Sequence, residues 1–157
     1  MSKQYSKTNR VANLTGVEMD DPGERAFWNC DGEVMVLRDE SNGTPRNFDL
    51  VERTAKFGEM VIRFAKRVSR NPVNTPLISQ LVRAGTSVGA NYCEADDAVS
   101  KKDFKYKVGT CRKEAKETKH WLRMVATAEE SLKNEARTVW REARELHLIF
   151  CSIFNRS

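Results

Sequence analysis

Residues 49–72 read DLVERTAKFGEMVIRFAKRVSRNP, and this stretch decides the fold. Leu50, Thr54, Phe57, Val61, Phe64 and Val68 recur at alternating spacings of four and three, which sets them along one face of an α-helix. Asp49 followed by Glu52 has the spacing of an N-cap with a carboxylate in the first turn. Arg63, Lys66, Arg67 and Arg70 fill the last turns, where the helix dipole favours cations, and Asn71-Pro72 ends the element. The pattern predicts a helix over about 49–70.

Toward the C-terminus the same period returns three times. Thr75-Pro76 opens a second helix, with Pro at its first position, and Leu77, Leu81, Ala84, Val88, Asn91 and Ala95 form its face. Ser100 with Asp103 caps a third, whose face is Phe104, Val108, Cys111, Ala115, Thr118, Leu122 and Val125. The fourth begins near Ser131, with Leu132, Ala136, Val139, Ala143, Leu146, Phe150 and Ile153. The predicted spans are about 75–98, 101–129 and 131–154. Links this short make neighbouring helices antiparallel, and a near-heptad stripe favours left-handed packing at small crossing angles. The expected fold is all-α: an antiparallel up-down-up-down left-handed four-helix bundle over residues 48–157. Proline and cap signals exclude a single long coiled coil.

Upstream, residues 1–47 show no helical period and are rich in Asn, Asp, Gly, Ser and Thr. They read as a mostly irregular N-terminal extension. Within it, Ala26-Phe27-Trp28 and Val34-Met35-Val36-Leu37 flank Asp31-Gly32, so a small hairpin is one reading and an irregular chain the other. Asn42-Gly43-Thr44-Pro45 reads as a linker.

Hydrophobic residues make up 39% of the 157, enough for a core. No stretch approaches the roughly 18 apolar residues of a spanning helix. The first ten residues, MSKQYSKTNR, lack an apolar run behind their charges, and the expected location is cytoplasmic. Cys30, Cys93, Cys111 and Cys151 form no C-x-x-C pair, so reduced cysteines at or near the core are expected, not zinc or a disulfide framework. The charge is uneven. Residues 1–47 hold 6 Lys/Arg and 8 Asp/Glu, a net of −2, and residues 48–157 hold 21 and 14, a net of +7, together the +5 of the chain. A basic folded domain behind an acidic extension suggests a polyanionic partner.

Three constellations stand out. Gly85 and Gly89 sit mid-helix, four apart and on one face, although each glycine costs roughly 1 kcal/mol against alanine. Close helix packing within the bundle accounts for them, as does close approach to another subunit or a ligand. Near them, Arg83, Ser87, Asn91 and Glu94 on the second helix and Glu114, Glu117 and Thr118 on the third read as a structural polar network or a subunit interface. An Arg83–Glu117 or Arg83–Glu114 pair is the expected link, fixing register without catalysis. On the third helix, Lys102, Lys105, Arg112, Lys116, Lys119 and Arg123 fall on one flank, with Gly109 in the same band, and Tyr106, Lys113 and His120 line the next row round. This basic stripe, Lys113 included, is either a solvated face or a phosphate-tracking surface. Trp121, Met124 and Trp140 lie outside the strict core rows and either widen the core or line a subunit interface. Glu117-Thr118-Lys119-His120 matches the Glu-x-x-His of di-iron bundles, which need two such motifs and two further Glu. The other histidine, His147, has Arg144 three residues before it, so no metal site and no cofactor is expected. No nucleophile and base complete a catalytic set.

The runs LVRAGTSVGANYCEA (residues 81–95), SKKDF (100–104), KEAKET (113–118) and Trp121-Leu122 together resemble the bacterial four helix bundle proteins, also called 23S rRNA-intervening-sequence proteins. The resemblance covers roughly residues 48–154. It implies an up-down bundle assembled as a homopentamer, without enzyme activity. Some members are encoded within insertions in ribosomal RNA genes. The family also looks related to the accessory subunit of diversity-generating retroelements, a basic pentameric bundle that binds nucleic acid and a reverse transcriptase. The expectation is a non-enzymatic, homo-oligomeric accessory protein that binds structured RNA (or DNA) and assists a reverse transcriptase, with no membrane partner. A homo-oligomeric protein-interaction scaffold without direct nucleic-acid binding is the alternative.

Overall fold

The computed structural model describes residues 27–28 and 49–157. The chain divides into two compact units, residues 1–42 and 43–157. In the first, Phe27 and Trp28 are helical, their rings edge-on with centroids 5.0 Å apart. These two residues are therefore not the strand of a hairpin. Three apolar residues in a row have no period, so that stretch of sequence does not separate helix from strand. The Asp31-Gly32 turn and the linker at 42–45 lie outside the described residues.

In the second unit four helices follow in order: α1 (Leu50–Ala65), α2 (Asn74–Asp96), α3 (Lys101–Ala128) and α4 (Lys133–Arg156). A single 3-10 turn, Glu130–Leu132, precedes α4. The fold is an all-α four-helix bundle, with no strand among the described residues.

The helix ends show how the sequence sets these bounds. The Asp49 carboxylate accepts from the Glu52 amide at 3.0 Å and Ser100 Oγ accepts from the Asp103 amide at 3.1 Å. Each cap satisfies an amide that has no partner within its helix. α1 stops at Ala65, short of the expected 70, but amides of Arg67 and Val68 bond three residues back to Phe64 and Ala65. That tighter turn keeps Val68 buried. α2 starts at Asn74, so Pro76 lies inside the first turn and not at its first position. The cause is Asn71, whose side-chain oxygen accepts from the amides of Val73 and Asn74 at 2.9 and 2.8 Å. Asn74 is buried and donates to the Ser69 carbonyl at 2.9 Å. At the same end of the bundle, Glu129 accepts from Ser69 and, at 3.0 Å, from Ser131, tying the α1–α2 turn to the α3–α4 turn.

The stripes read from sequence are the core. All six α1 positions are buried, as are Leu81, Ala84, Val88 and Ala95 of α2 and Val108 through Val125 of the α3 row. Phe104, Leu77, Asn91 and Ile153, toward the ends of their rows, are half-buried. Trp140 is buried, which settles its place inside a widened core. The two buried threonines, Thr54 and Thr118, return their hydroxyls to the carbonyls of Val51 and Glu114 at 2.9 and 2.8 Å, leaving no donor stranded.

Contacts between neighbours run in opposite senses along each pair. Gly89 meets Thr54 and Gly85 meets Val61 between α2 and α1. Arg83 bonds Glu117 and Lys107 bonds Glu94 between α2 and α3. Lys119 lies over Trp140 and Gly109 meets Phe154 between α3 and α4. Arg53 of α1 bonds Glu142 of α4 at 2.7 Å, and Arg67, just past the end of α1, bonds Glu135 of α4 at 2.6 Å. In each pair, numbers rise on one helix as they fall on the other.

Candidate nucleic-acid interface

The basic stripe of α3 divides into three kinds of position. Lys102, Lys113, Lys116 and Arg123 are exposed and make no ion pair among the described residues. Lys105 and Arg112 are half-buried against the end of α4. Phe154 is held between them, with the Lys105 ammonium 5.0 Å and the Arg112 guanidinium 4.3 Å from its ring centroid. Lys105 also donates to the Ser157 backbone oxygen at 2.7 Å. Gly109 makes this possible: a Cβ there would stand 3.1 Å from the Phe154 ring. Lys119 departs from the sequence reading. It is 5% exposed and its ammonium lies 5.2 Å from the Trp140 ring centroid. Its long apolar stem packs into the α3–α4 seam, so it is a packing residue and not part of an outward stripe. The outward face of α3 is Lys102, Tyr106, Lys113, Lys116, His120 and Arg123, all exposed.

A second set of cations, on α4, escaped the sequence reading. Trp140 and Phe154 both touch α3, and the cations Lys133, Arg137 and Arg144, with His147 beside them, share their flank at spacings of three and four. The opposite flank of α4 carries Glu142, which accepts from Arg53 of α1, and Glu135, which accepts from Arg67 in the turn after α1. The Arg53 pair is half-buried, and the hydrogen bond that Arg53 donates to the Glu142 carboxylate holds its guanidinium above its ordinary range. The alternation of R/K and E at these spacings in KNEARTVWREARELH (residues 133–147) is the signal that identifies a helix with one acidic and one basic side.

The polar cluster between α2 and α3 is partly as expected. Arg83 Nη2 donates to Glu117 Oε1, and Trp121 Nε1 donates to the same oxygen at 3.0 Å. Glu114 is the third member, 3.8 Å from Arg83 Nη1, too far for a hydrogen bond. Its Oε2 is buried without a hydrogen-bond partner. Burial first, and the neighbouring Glu117 second, push the Glu114 carboxyl above its ordinary range, while Arg83 works against them. Glu94 stands apart from this cluster and bonds Lys107. Ser87 and Asn91 donate to the carbonyls of Arg83 and Ser87, at 2.7 and 2.9 Å, so they bond within their own helix. Gly85 and Gly89 face α1, where a Cβ on Gly85 would stand 2.8 Å from two Val61 methyls. Their close approach is thus to a neighbouring helix of the same chain.

The cysteines among the described residues are free. Cys111 is buried, its thiol aimed at the Val88 carbonyl at 3.6 Å and pushed up to about 12 by burial. Cys93 is exposed and Cys151 half-buried. Glu117 is engaged by Arg83 and Trp121, and His120 stands edge-on to Trp121 with centroids 5.0 Å apart. Among the described residues no three His, Cys, Asp or Glu side chains gather as metal ligands. Nor is any described helix long and apolar enough to cross a membrane.

The model of the 23S rRNA-intervening sequence protein family matches residues 46–151. The chain belongs to this family. The family takes its name from an intervening sequence of 23S rRNA, which associates it with RNA. One similar solved structure is a protein of unknown function from the S23 ribosomal protein family of Bacteroides thetaiotaomicron. It is 28% identical, superposes with a TM-score of 0.59, and the match covers 67% of this chain and 97% of that one. No curated protein matches the chain.

Proposed function

We propose that this chain is a non-catalytic, homo-oligomeric accessory protein that binds structured RNA through the outward face of α3. The observation that carries this reading is the set Lys102, Lys113, Lys116 and Arg123, exposed and without ion pairs among the described residues. Elsewhere in the bundle carboxylates pair with cations: Glu52 with Lys56, Glu59 with Arg63, Glu135 with Arg67, Glu142 with Arg53. Unpaired cations in a row are what a phosphate backbone neutralises, with release of its counterions. Membership in the intervening-sequence family supports RNA as the polyanion. The pentamer implied by the family resemblance would present the row once per subunit, raising avidity for a long RNA. The resemblance of the family to retroelement accessory subunits makes a reverse transcriptase the protein partner to test.

The experiment is a salt titration of binding to a structured RNA by the wild type and a K102E/K113E/K116E/R123E variant. Lys105, Arg112 and Lys119 are left intact because their side chains pack. Each lost phosphate contact flattens the log–log salt slope by about 0.7 to 0.9, so the variant is expected to lose up to about three units of slope. Equal affinity and slope would refute the interface. Light scattering tests the assembly, and a monomer mass would refute it. Retention of a stoichiometric protein partner after nuclease treatment, with no RNA binding by the pure protein, would instead establish a scaffold.

A further inference from the structure

Four large hydrophobic side chains stand exposed among the described residues: Ile62, Val73, Val99 and Tyr106. The first three are aliphatic and lie on α1 or in the turns. Tyr106 is aromatic, 69% exposed, and sits in the cation row of α3. Lys102 is four residues before it and Lys113 seven after, about 6 and 10 Å along the helix axis. The ammonium of Lys107 lies 5.9 Å from its ring centroid and is itself held by Glu94. Of the acidic neighbours toward α2, Glu94 is held by Lys107 and Glu117 by Arg83 and Trp121, while Glu114 turns a buried oxygen inward. A single exposed apolar side chain is ordinary. An exposed ring set between unpaired ammonium groups joins the two parts of a site for single-stranded nucleic acid: cations for phosphates and a π face for a base.

Resting on the RNA reading above, we propose that Tyr106 is a base-stacking residue, so that the outward face of α3 takes unpaired nucleotides in preference to a duplex. In an A-form helix the base faces are stacked away and only the groove edges, sugars and phosphates are presented. The cations would serve either form, but the ring serves unpaired bases.

The test compares Y106A, Y106F and K113E with the full-length wild type. The probes are a single-stranded oligouridylate and a blunt RNA duplex carrying the same number of phosphates. Y106A is expected to weaken oligouridylate binding about tenfold, to leave duplex binding and the salt slope unchanged, and to leave the melting temperature unchanged because the ring is exposed. Y106F is expected to bind as wild type. The same loss is expected on oligodeoxythymidylate, since the contact is to the base and not to the 2′-hydroxyl. K113E is expected to weaken both RNA probes. If K113E weakens binding while Y106A does not, or if Y106A weakens single strand and duplex equally, stacking is overturned and the charged interface stands. If neither variant changes binding, the α3 interface falls as well.

Discussion

Three glycines line the contact between α1 and α2, and substituting each by alanine should give a graded result. Alanine is favoured over glycine in a helix by about 1 kcal/mol, so the outcome depends on what the added methyl meets. On Gly58 it would find only ordinary contacts, with Thr86 Cα at 3.8 Å the nearest. G58A is expected to raise stability by up to about 1 kcal/mol. On Gly89 it would stand 3.3 Å from the Thr54 carbonyl oxygen, a mild overlap with backbone, and G89A is expected to be near neutral. On Gly85 it would stand 2.8 Å from both Val61 methyls and 3.0 Å from Val61 Cβ. Val61 is fully buried, and a β-branched side chain in a helix has one strongly preferred rotamer. Overpacking of this kind costs about 1–3 kcal/mol, so after the propensity gain G85A should lower stability by up to about 2 kcal/mol. The decisive variant is G85A in a V61A background. Removing the two methyls leaves only the 3.0 Å contact to the remaining Cβ of residue 61, and there G85A should be near neutral or stabilising by less than about 1 kcal/mol. Urea unfolding at fixed protein concentration, read as midpoint and slope, measures the wild type, the three glycine variants, V61A and the V61A/G85A double variant. If G85A has the same effect with and without V61A, or stabilises the wild type, the account of this helix contact is wrong.

Further outcomes follow from the same structure. K119E should destabilise by about 3 kcal/mol or more, because it buries an anion under Trp140, whereas K113E should change stability by less than about 0.5 kcal/mol; thermal melts of the two separate packing from surface cations. At neutral pH, E114Q should be as stable as wild type or up to about 1 kcal/mol more stable, since it removes a buried charge lacking a hydrogen-bond partner. Glu114 titrates above its ordinary range in the fold, so its ionised form opposes folding. That penalty is full above the folded pKa and gone below the unfolded one, and wild type should therefore gain on E114Q as pH falls through the window just above the ordinary carboxylate range. With a neutral alkylating reagent at pH 8, peptide mapping should find Cys93 labelled rapidly and Cys111 only on unfolding, because burial holds the Cys111 thiol at about 12. Rapid labelling of Cys111 in the native protein would contradict its place in the core.

The fold was legible because each helix has a core row, and two of its starts have caps that act within four residues. Asp49 with Glu52 and Ser100 with Asp103 are local features, and sequence contains local features. The start of α2 was misplaced by one residue because Pro76 is conspicuous while the Asn71 side chain works through its conformation. The basic stripe was legible as a stripe, but which side of it faces solvent is set by where α4 packs. Lys105, Arg112 and Lys119 lie on the α4 side, and their charges hide the fact that their stems and cations cover Phe154 and Trp140. Tyr106, Lys113 and His120 share a row by helix spacing, and the structure leaves all three exposed. The Arg83–Glu117 link was readable from helix order, whereas the buried oxygen of Glu114 depends on side-chain positions no spacing encodes.

The distribution of ion pairs has a consequence beyond stability. Within the pairs Glu52–Lys56, Glu59–Arg63, Glu135–Arg67 and Glu142–Arg53 the two charges stand at short range, so at a distance the field of each pair largely cancels. The cations of the outward face of α3 have no such neighbours, and their field extends until salt screens it, about 8 Å at physiological ionic strength. A polyanion drifting past therefore experiences a torque as well as an attraction. Encounters should begin with α3 turned toward the partner, and the orientation of approach is set before any contact is made.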